Sequence, residues 1–158
     1  MMRGARTTGW VITGMAVATV AAAPLRAQMA PISGTELAIA LEAEALRLQQ
    51  SARGWADAAD LFMAAAGHRQ HEDPQARQDL FMAANLYHQV GNVPRAIMAL
   101  ESAGVRAMSS GDAVLAVQMF GNAAEIAGQA GLFNEERRLR TRATDVAAVS
   151  RSGSGTRS

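Results

Sequence analysis

The sequence has 158 residues, a formal net charge of +1 and no cysteine. The lack of cysteine excludes disulfides, zinc–thiolate sites and thiol catalysis. All fifteen basic residues are arginine, so a Walker-type phosphate loop and a lysine nucleophile are excluded as well. Apart from the last predicted helix, nothing resembles the clustered basic surface of a nucleic-acid-binding protein.

Residues 1–27 have the layout of a secretory signal peptide. Arg3 and Arg6 form a basic start without an acid, residues 10–23 form an uncharged apolar run, and Ala27 is the small residue before the predicted cleavage. The run is shorter than the roughly twenty residues that a membrane-spanning helix needs, so a retained anchor is the weaker alternative. We therefore predict an exported protein, periplasmic or secreted, with residues 28–34 as a linker.

The first predicted hairpin follows this linker. Its first helix is expected to run from Thr35, as the cap, to residue 51. The predicted buried stripe of this helix is Leu37, Leu41, Ala45 and Leu48. Gly54 then breaks the chain before an alanine-rich helix over residues 55–67, whose small side chains predict a close approach between helices.

The loop after the second helix holds a cluster of side chains able to bind a metal ion. The cluster is His68, His71, Glu72 and Asp73. It contains only two imidazoles, and Asp73 before Pro74 is typical of a helix cap. A solvated loop is therefore favoured, and no metal or cofactor is expected.

The central stretch, residues 76–109, predicts a helical hairpin. Its first helix ends at Gly91, a residue suited to a left-handed helix terminus, and Pro94 stands in the first turn of its second helix. Apolar residues recur at three- and four-residue spacing in both helices. The two stripes are Leu80, Ala83, Ala84 and Tyr87, and Ala96, Leu100 and Ala103.

Shifted copies of this hairpin precede and follow it. A shift of forty residues pairs Ala83, Ala84, Gln89 and Gly91 with Ala123, Ala124, Gln129 and Gly131. A shift of thirty-eight in the other direction pairs the second-helix stripe with Ala58, Phe62 and Ala65. The sequence therefore predicts three hairpins.

The third hairpin is expected to begin at the Asp112 cap, with helices over residues 113–131 and from an Asn134 cap onward. The last helix carries only a thin apolar stripe of Leu139, Ala143 and Val146. We predict that its arginines form a solvated capping face, with an anion-binding patch as the alternative: Arg137, Arg138, Arg140 and Arg142. Residues 150–158 lack apolar side chains and are expected to form a disordered tail.

The central hairpin resembles the tetratricopeptide repeat in the order of its residues. It has a small residue in mid-helix, an aromatic residue three positions later, a glycine at the turn, and an Ala–large–Ala stripe in the second helix. The resemblance implies an all-α fold over residues 35–149, with about three stacked antiparallel hairpins in a right-handed superhelix. The chain departs from that family in its longer spacing, in Ala127 where Tyr87 stands, and in Glu136 and Arg140 at two core positions. An ordinary five- or six-helix bundle is the alternative.

Stacked hairpins leave a concave face, lined by the first helix of each pair, that binds peptides or helices. The resemblance maps this groove to Arg47, Gln50, Gln78, Phe81, Asn85, His88, Gln118, Glu125 and Gln129. Amide side chains both donate and accept hydrogen bonds, which suits an extended peptide backbone.

We therefore predict a non-enzymatic scaffold for an unidentified protein or peptide, with no nucleic-acid partner and no membrane contact after cleavage of the signal peptide. A structural module of an envelope assembly is one alternative. A metal-binding protein built on His68, His71 and His88 is the other.

Overall fold

A computed structural model of the protein describes residues 33–154. These residues form six α-helices without a strand, which confirms the all-α class. The helices are α1 (Gly34–Leu48), α2 (Trp55–His68), α3 (Pro74–Gln89), α4 (Val93–Ser109), α5 (Ala113–Gln129) and α6 (Phe133–Ser154), and a 3-10 turn at Ala52–Gly54 leads into α2. The predicted signal peptide, residues 1–27, lies outside the described residues, as do residues 28–32 and 155–158.

Two aspartates start helices where the sequence predicts. The Asp73 side chain accepts a hydrogen bond from the backbone N–H of Gln75 at 2.9 Å, directly before Pro74. The Asp112 side chain accepts one from the backbone N–H of Leu115 at 3.0 Å. Both predicted caps are therefore confirmed, and each satisfies a donor that the helix itself leaves unpaired.

Two other predicted helix starts are wrong. Ser33 caps α1 in place of Thr35, because Ser33 and Glu36 bond each other's backbone N–H groups, at 2.9 and 3.2 Å, as a capping box. The last helix already begins at Phe133, so Asn134 lies inside its first turn.

Three helix ends have the same geometry and lie twenty residues apart. Gly91, Gly111 and Gly131 have φ values of 76°, 78° and 74°, in the left-handed region that glycine tolerates best. After each glycine, the next backbone N–H bonds the carbonyl five residues earlier, at 2.7, 2.8 and 2.8 Å. The chain from α3 to α5 therefore repeats a helix and turn every twenty residues, half the spacing of the predicted hairpins.

The buried positions follow the same spacing. Ala76, Leu80, Ala83 and Ala84 in α3 correspond to Ala96, Leu100, Ala103 and Gly104 in α4 and to Ala116, Phe120, Ala123 and Ala124 in α5, and all are buried. Tyr87 is buried too, so both predicted stripes of the central hairpin are confirmed. The predicted counterparts in α2, Ala58, Phe62 and Ala65, are also buried.

The predicted stripe of α1 is only partly correct. Ala45 is buried together with Ala38, whereas Leu37, Leu41 and Leu48 stay partly exposed. Among the described helices, α1 packs mainly on α2.

Each later helix packs mainly on the helices before and after it in the sequence. Arginine side chains also join helices two apart. Arg95 of α4 binds Asp60 of α2, and Arg106 donates to the Ala66 carbonyl at the end of α2 at 2.9 Å. These bonds hold α4 beside α2.

On α6, Leu139 and Val146 are buried and Ala143 is partly buried, so the predicted thin stripe is confirmed. Arg137 and Arg140 are exposed as predicted. Two other arginines instead bind Glu101 of α4: Arg138 at 2.7 Å and Arg142 at 3.1 Å.

The predicted capping face is therefore wrong in part, because Arg138 and Arg142 hold α6 to α4 as well as facing solvent. The helix also continues to Ser154, past the predicted domain end at residue 149. The predicted tail is thus helical over residues 150–154.

Phe120 fixes the distance between α4 and α5. The Arg142 guanidinium lies 4.6 Å from the centre of its ring, and on Gly104 an added Cβ would lie 2.8 Å from its Cε1 atom. The absence of a side chain at Gly104 thus provides the space for the ring.

We predict that Gly104→Ala lowers the free energy of unfolding by about 1–3 kcal/mol, since the buried ring has to shift. Gly121→Ala is the matched control, because its Cβ would meet open space on the exposed side of α5. There alanine should raise stability by about 0.5–1 kcal/mol through helix propensity. Urea unfolding of both variants measures the difference, and an equal effect would contradict this packing.

Candidate functional site

A groove runs between α3 and α5, and we call it the α3–α5 groove. Pro74, Arg77, Gln78 and Phe81 of α3 line it together with Leu115 and Met119 of α5, around a volume of about 320 Å³. Phe81 is 37% exposed, Leu115 is partly exposed and Met119 is almost buried. The groove thus combines an apolar base with a polar rim, the usual composition of a binding site.

All nine residues predicted for a binding groove are exposed. The structure brings two of them, Gln78 and Phe81, into the α3–α5 groove. The other seven lie outside its lining: Arg47, Gln50, Asn85, His88, Gln118, Glu125 and Gln129. Among these, Arg47 is ion-paired with Glu44 at 2.5 Å, and the Gln129 amide donates to Glu125 at 3.2 Å.

Four lining residues were missed in the sequence: Pro74, Arg77, Leu115 and Met119. The forty-residue shift relates Leu115 and Met119 only to Gln75 and Asp79 of α3, whose neighbours the sequence does not show. In the structure, Leu115 and Met119 lie on the side of α5 that faces α3. In the same way, Gln75 and Asp79 lie on the side of α3 that faces α1.

Gln75 and Asp79 themselves belong to a buried ion network between α1 and α3. At its centre is Arg69, whose side chain is 6% exposed and whose Nε donates to Asp79 at 2.9 Å. The same guanidinium bonds Glu42 of α1 at 2.5 Å, and the Gln75 amide donates to Glu42 at 2.9 Å. No sequence pattern predicted this network, because Glu42 and Arg69 are 27 residues apart.

Asp79 is 1% exposed, and burial raises the pKa of its carboxyl group despite the opposing bonds from Arg69 and Gln75. Its charge is therefore tolerated only because Arg69 compensates it.

The ion network between α1 and α3 and the α3–α5 groove occupy corresponding places in the chain but differ in their side chains. Forty residues after Gln75 and Asp79 stand Leu115 and Met119, and forty after Arg69 stands Ser109. The later position thus has apolar side chains in place of Gln75 and Asp79, and a serine in place of Arg69. The site between α1 and α3 is occupied by its own ion pairs, whereas no ion pair joins the described residues that line the α3–α5 groove.

A second hollow, of about 610 Å³, follows the outer side of α6 beside Phe133, Arg137 and Arg140. Its described lining comes from α6 alone. The described lining of the α3–α5 groove comes from two helices, so this groove is the better candidate.

The predicted loop cluster does not form a metal site in the described part of the chain. His68 and His71 are exposed, and Asp73 caps α3. Over residues 33–152, no three histidine or acidic side chains are close enough to hold a metal ion. Within the same range no helix is long and apolar enough to cross a bilayer.

Comparisons with protein-family models, with curated proteins and with solved structures found no match to this sequence. The tetratricopeptide resemblance therefore stays a prediction based on the residues given above.

We predict that Arg69→Met lowers the free energy of unfolding by about 3–5 kcal/mol near neutral pH, because it leaves Asp79 charged, buried and unpaired. Arg47→Met, which removes the exposed pair with Glu44, is the control and should change stability by no more than about 0.5 kcal/mol.

The loss in Arg69→Met should shrink in acid. A carboxyl group whose folded-state pKa is raised binds its proton more tightly when folded, so protonation relieves the penalty as pH falls through that pKa. Urea unfolding of the wild type and the variant at about pH 7 and about pH 4 measures the difference between them. A loss that is independent of pH would show that Asp79 is not the cause.

Proposed function

We propose that the protein is an exported, non-enzymatic scaffold that binds a peptide or helix segment in the α3–α5 groove. The observation that carries this proposal is the open apolar base formed by Phe81, Leu115 and Met119. Covering apolar surface is the main favourable term in association, and a partly exposed aromatic residue in a concave site is a typical anchor.

The scaffold part of the proposal is supported by the regular order of the helices. Consecutive helices pack on each other, three turns share one geometry, and buried positions recur every twenty residues. Glu136 and Arg140 follow the buried Ala96 and Leu100 by forty residues, and a polar outer side is what the end of a stacked array requires. We propose a tetratricopeptide-like array of three hairpins on this basis.

A binding role is favoured over catalysis by the chemistry of the groove. Its described lining contains no carboxylate, imidazole or thiol that could act as a base or nucleophile. Arg77 and Gln78 can only hydrogen-bond a ligand, and the remaining four side chains are apolar.

We predict that Phe81→Ala removes peptide binding with little loss of stability. The ring is partly exposed, and truncating a central aromatic anchor costs about 2 kcal/mol or more in binding. The probe is a displayed random peptide library selected on the wild type, with affinities of the selected peptides then measured for each variant. Phe133→Ala is the matched control, because Phe133 is 67% exposed and lies on α6.

Selected peptides that bind Phe81→Ala as well as the wild type would contradict the proposed groove. Loss of binding in Phe133→Ala alone would assign binding to the hollow on α6. Concentration-dependent self-association without peptide binding would instead support a structural module.

Export is proposed from residues 1–27, which carry the basic start, apolar run and small-residue end of a signal peptide. We predict that the protein recovered from an expressing bacterium begins at Gln28. Intact-mass measurement of soluble and membrane fractions checks this, and Met1 retained in the membrane fraction would contradict it.

A further inference from the structure

Arg77 is the one charged residue among the described lining of the α3–α5 groove. It is half-buried, and its Nη1 donates to the Ser110 hydroxyl at 2.7 Å. Over the described residues, no carboxylate lies within ion-pair distance of it. Six other arginines of that range do pair with carboxylates: Arg47, Arg69, Arg95, Arg138, Arg140 and Arg142.

This difference leaves Arg77 with unused binding capacity. A guanidinium group has five N–H donors in a planar fork, and a serine hydroxyl is a neutral partner for one of them. Charge-assisted bonds to a carboxylate are about twice as strong as neutral ones. The partly buried position also reduces screening by water, so an incoming carboxylate would be attracted more strongly here than at an exposed arginine.

The geometry relates this charge to the apolar base of the groove. Arg77 and Phe81 are four residues apart on α3 and therefore lie on one side of it, about 6 Å apart along the helix axis. An extended peptide rises about 3.3 Å per residue, and its side chains two positions apart point the same way. Two residues of such a peptide thus match the distance from the base to the arginine.

We propose, building on the proposed function, that the ligand is an extended peptide segment with an aspartate or glutamate two positions from a large apolar residue. The apolar side chain lies on Phe81, Leu115 and Met119, and the acidic side chain binds Arg77. Charge complementarity selects the acidic residue, while the apolar base provides most of the affinity.

The test uses three acetylated and amidated peptides that share a leucine and differ two positions away, where they carry glutamate, glutamine or lysine. Fluorescence anisotropy of labelled peptides on the purified protein measures each affinity. For the wild type we expect glutamate to be preferred over lysine by about tenfold or more, with the preference shrinking as salt is added.

Two substitutions of the same residue make the assignment specific. Arg77→Glu is expected to reverse the preference in favour of lysine, and Arg77→Gln is expected to abolish it while retaining leucine-dependent binding. Phe81→Ala should weaken all three peptides equally. Arg137→Glu, an exposed change on α6, is the control and should leave the preference as in the wild type. Thermal melts establish that each variant is folded.

The outcomes separate this inference from the proposed function. Equal binding of all three peptides would overturn the acidic preference but leave the peptide groove in place. No binding of any peptide by the folded wild type would overturn both. A glutamate preference that persists in Arg77→Glu and Arg77→Gln, or binding that needs a free terminal carboxylate, would show that Arg77 does not read an acidic side chain.

Discussion

Close approach of helices at alanine and glycine positions is the constraint on which the rest of the structure depends. Most buried residues of α2 to α5 are alanines, so each helix contributes only one to three large apolar side chains, such as Phe62, Leu80, Leu100 and Phe120. Alanine removes little apolar surface from water, and the large residues therefore provide most of the hydrophobic free energy. Phe120 packs closely against Gly104, because a methyl group on Gly104 would lie only 2.8 Å from the Phe120 ring and would force it to shift.

Side-chain bonds between helices supplement this small core, and arginine makes most of those found among the described residues. Arg69 contacts Asp79 and Glu42 at once, and Arg138 contacts Glu101 and Glu135. A planar guanidinium can bridge two carboxylates in fixed directions, which a lysine ammonium does less well. Tyr87 belongs to a similar cluster with Asp60 and Arg95: burial and the Asp60 carboxylate raise its pKa to about 12, so the phenol stays a donor.

Local signals in the sequence were sufficient for most of the fold, apart from the Thr35 and Asn134 caps, and they failed where partners are distant. Glycine turns, aspartate caps and the apolar stripes of α3 and α4 each depend on residues within one or two turns, so periodicity and capping chemistry predicted them. The Arg69 network depends on residues 27 apart, which no local pattern relates. Helix periodicity was sufficient to predict that the groove residues are exposed. Predicting that Leu115 and Met119 of α5 line the groove would have required knowing which side of α5 faces α3.

The ion network between α1 and α3 and the α3–α5 groove lie at corresponding positions, forty residues apart in the sequence. Between α1 and α3, Asp79 is buried and must be neutralised, and the Arg69 side chain lies against it as its counter-ion. At the corresponding place beside α5, Met119 needs no counter-ion, and the space stays open next to an arginine bonded only to a hydroxyl. With Met119 in place of Asp79 and Ser109 in place of Arg69, this position lacks the internal ion pair and has an apolar surface instead, and Arg77 beside it is bonded to a hydroxyl. The groove proposed for recognition is therefore the position that lacks its own ion pair.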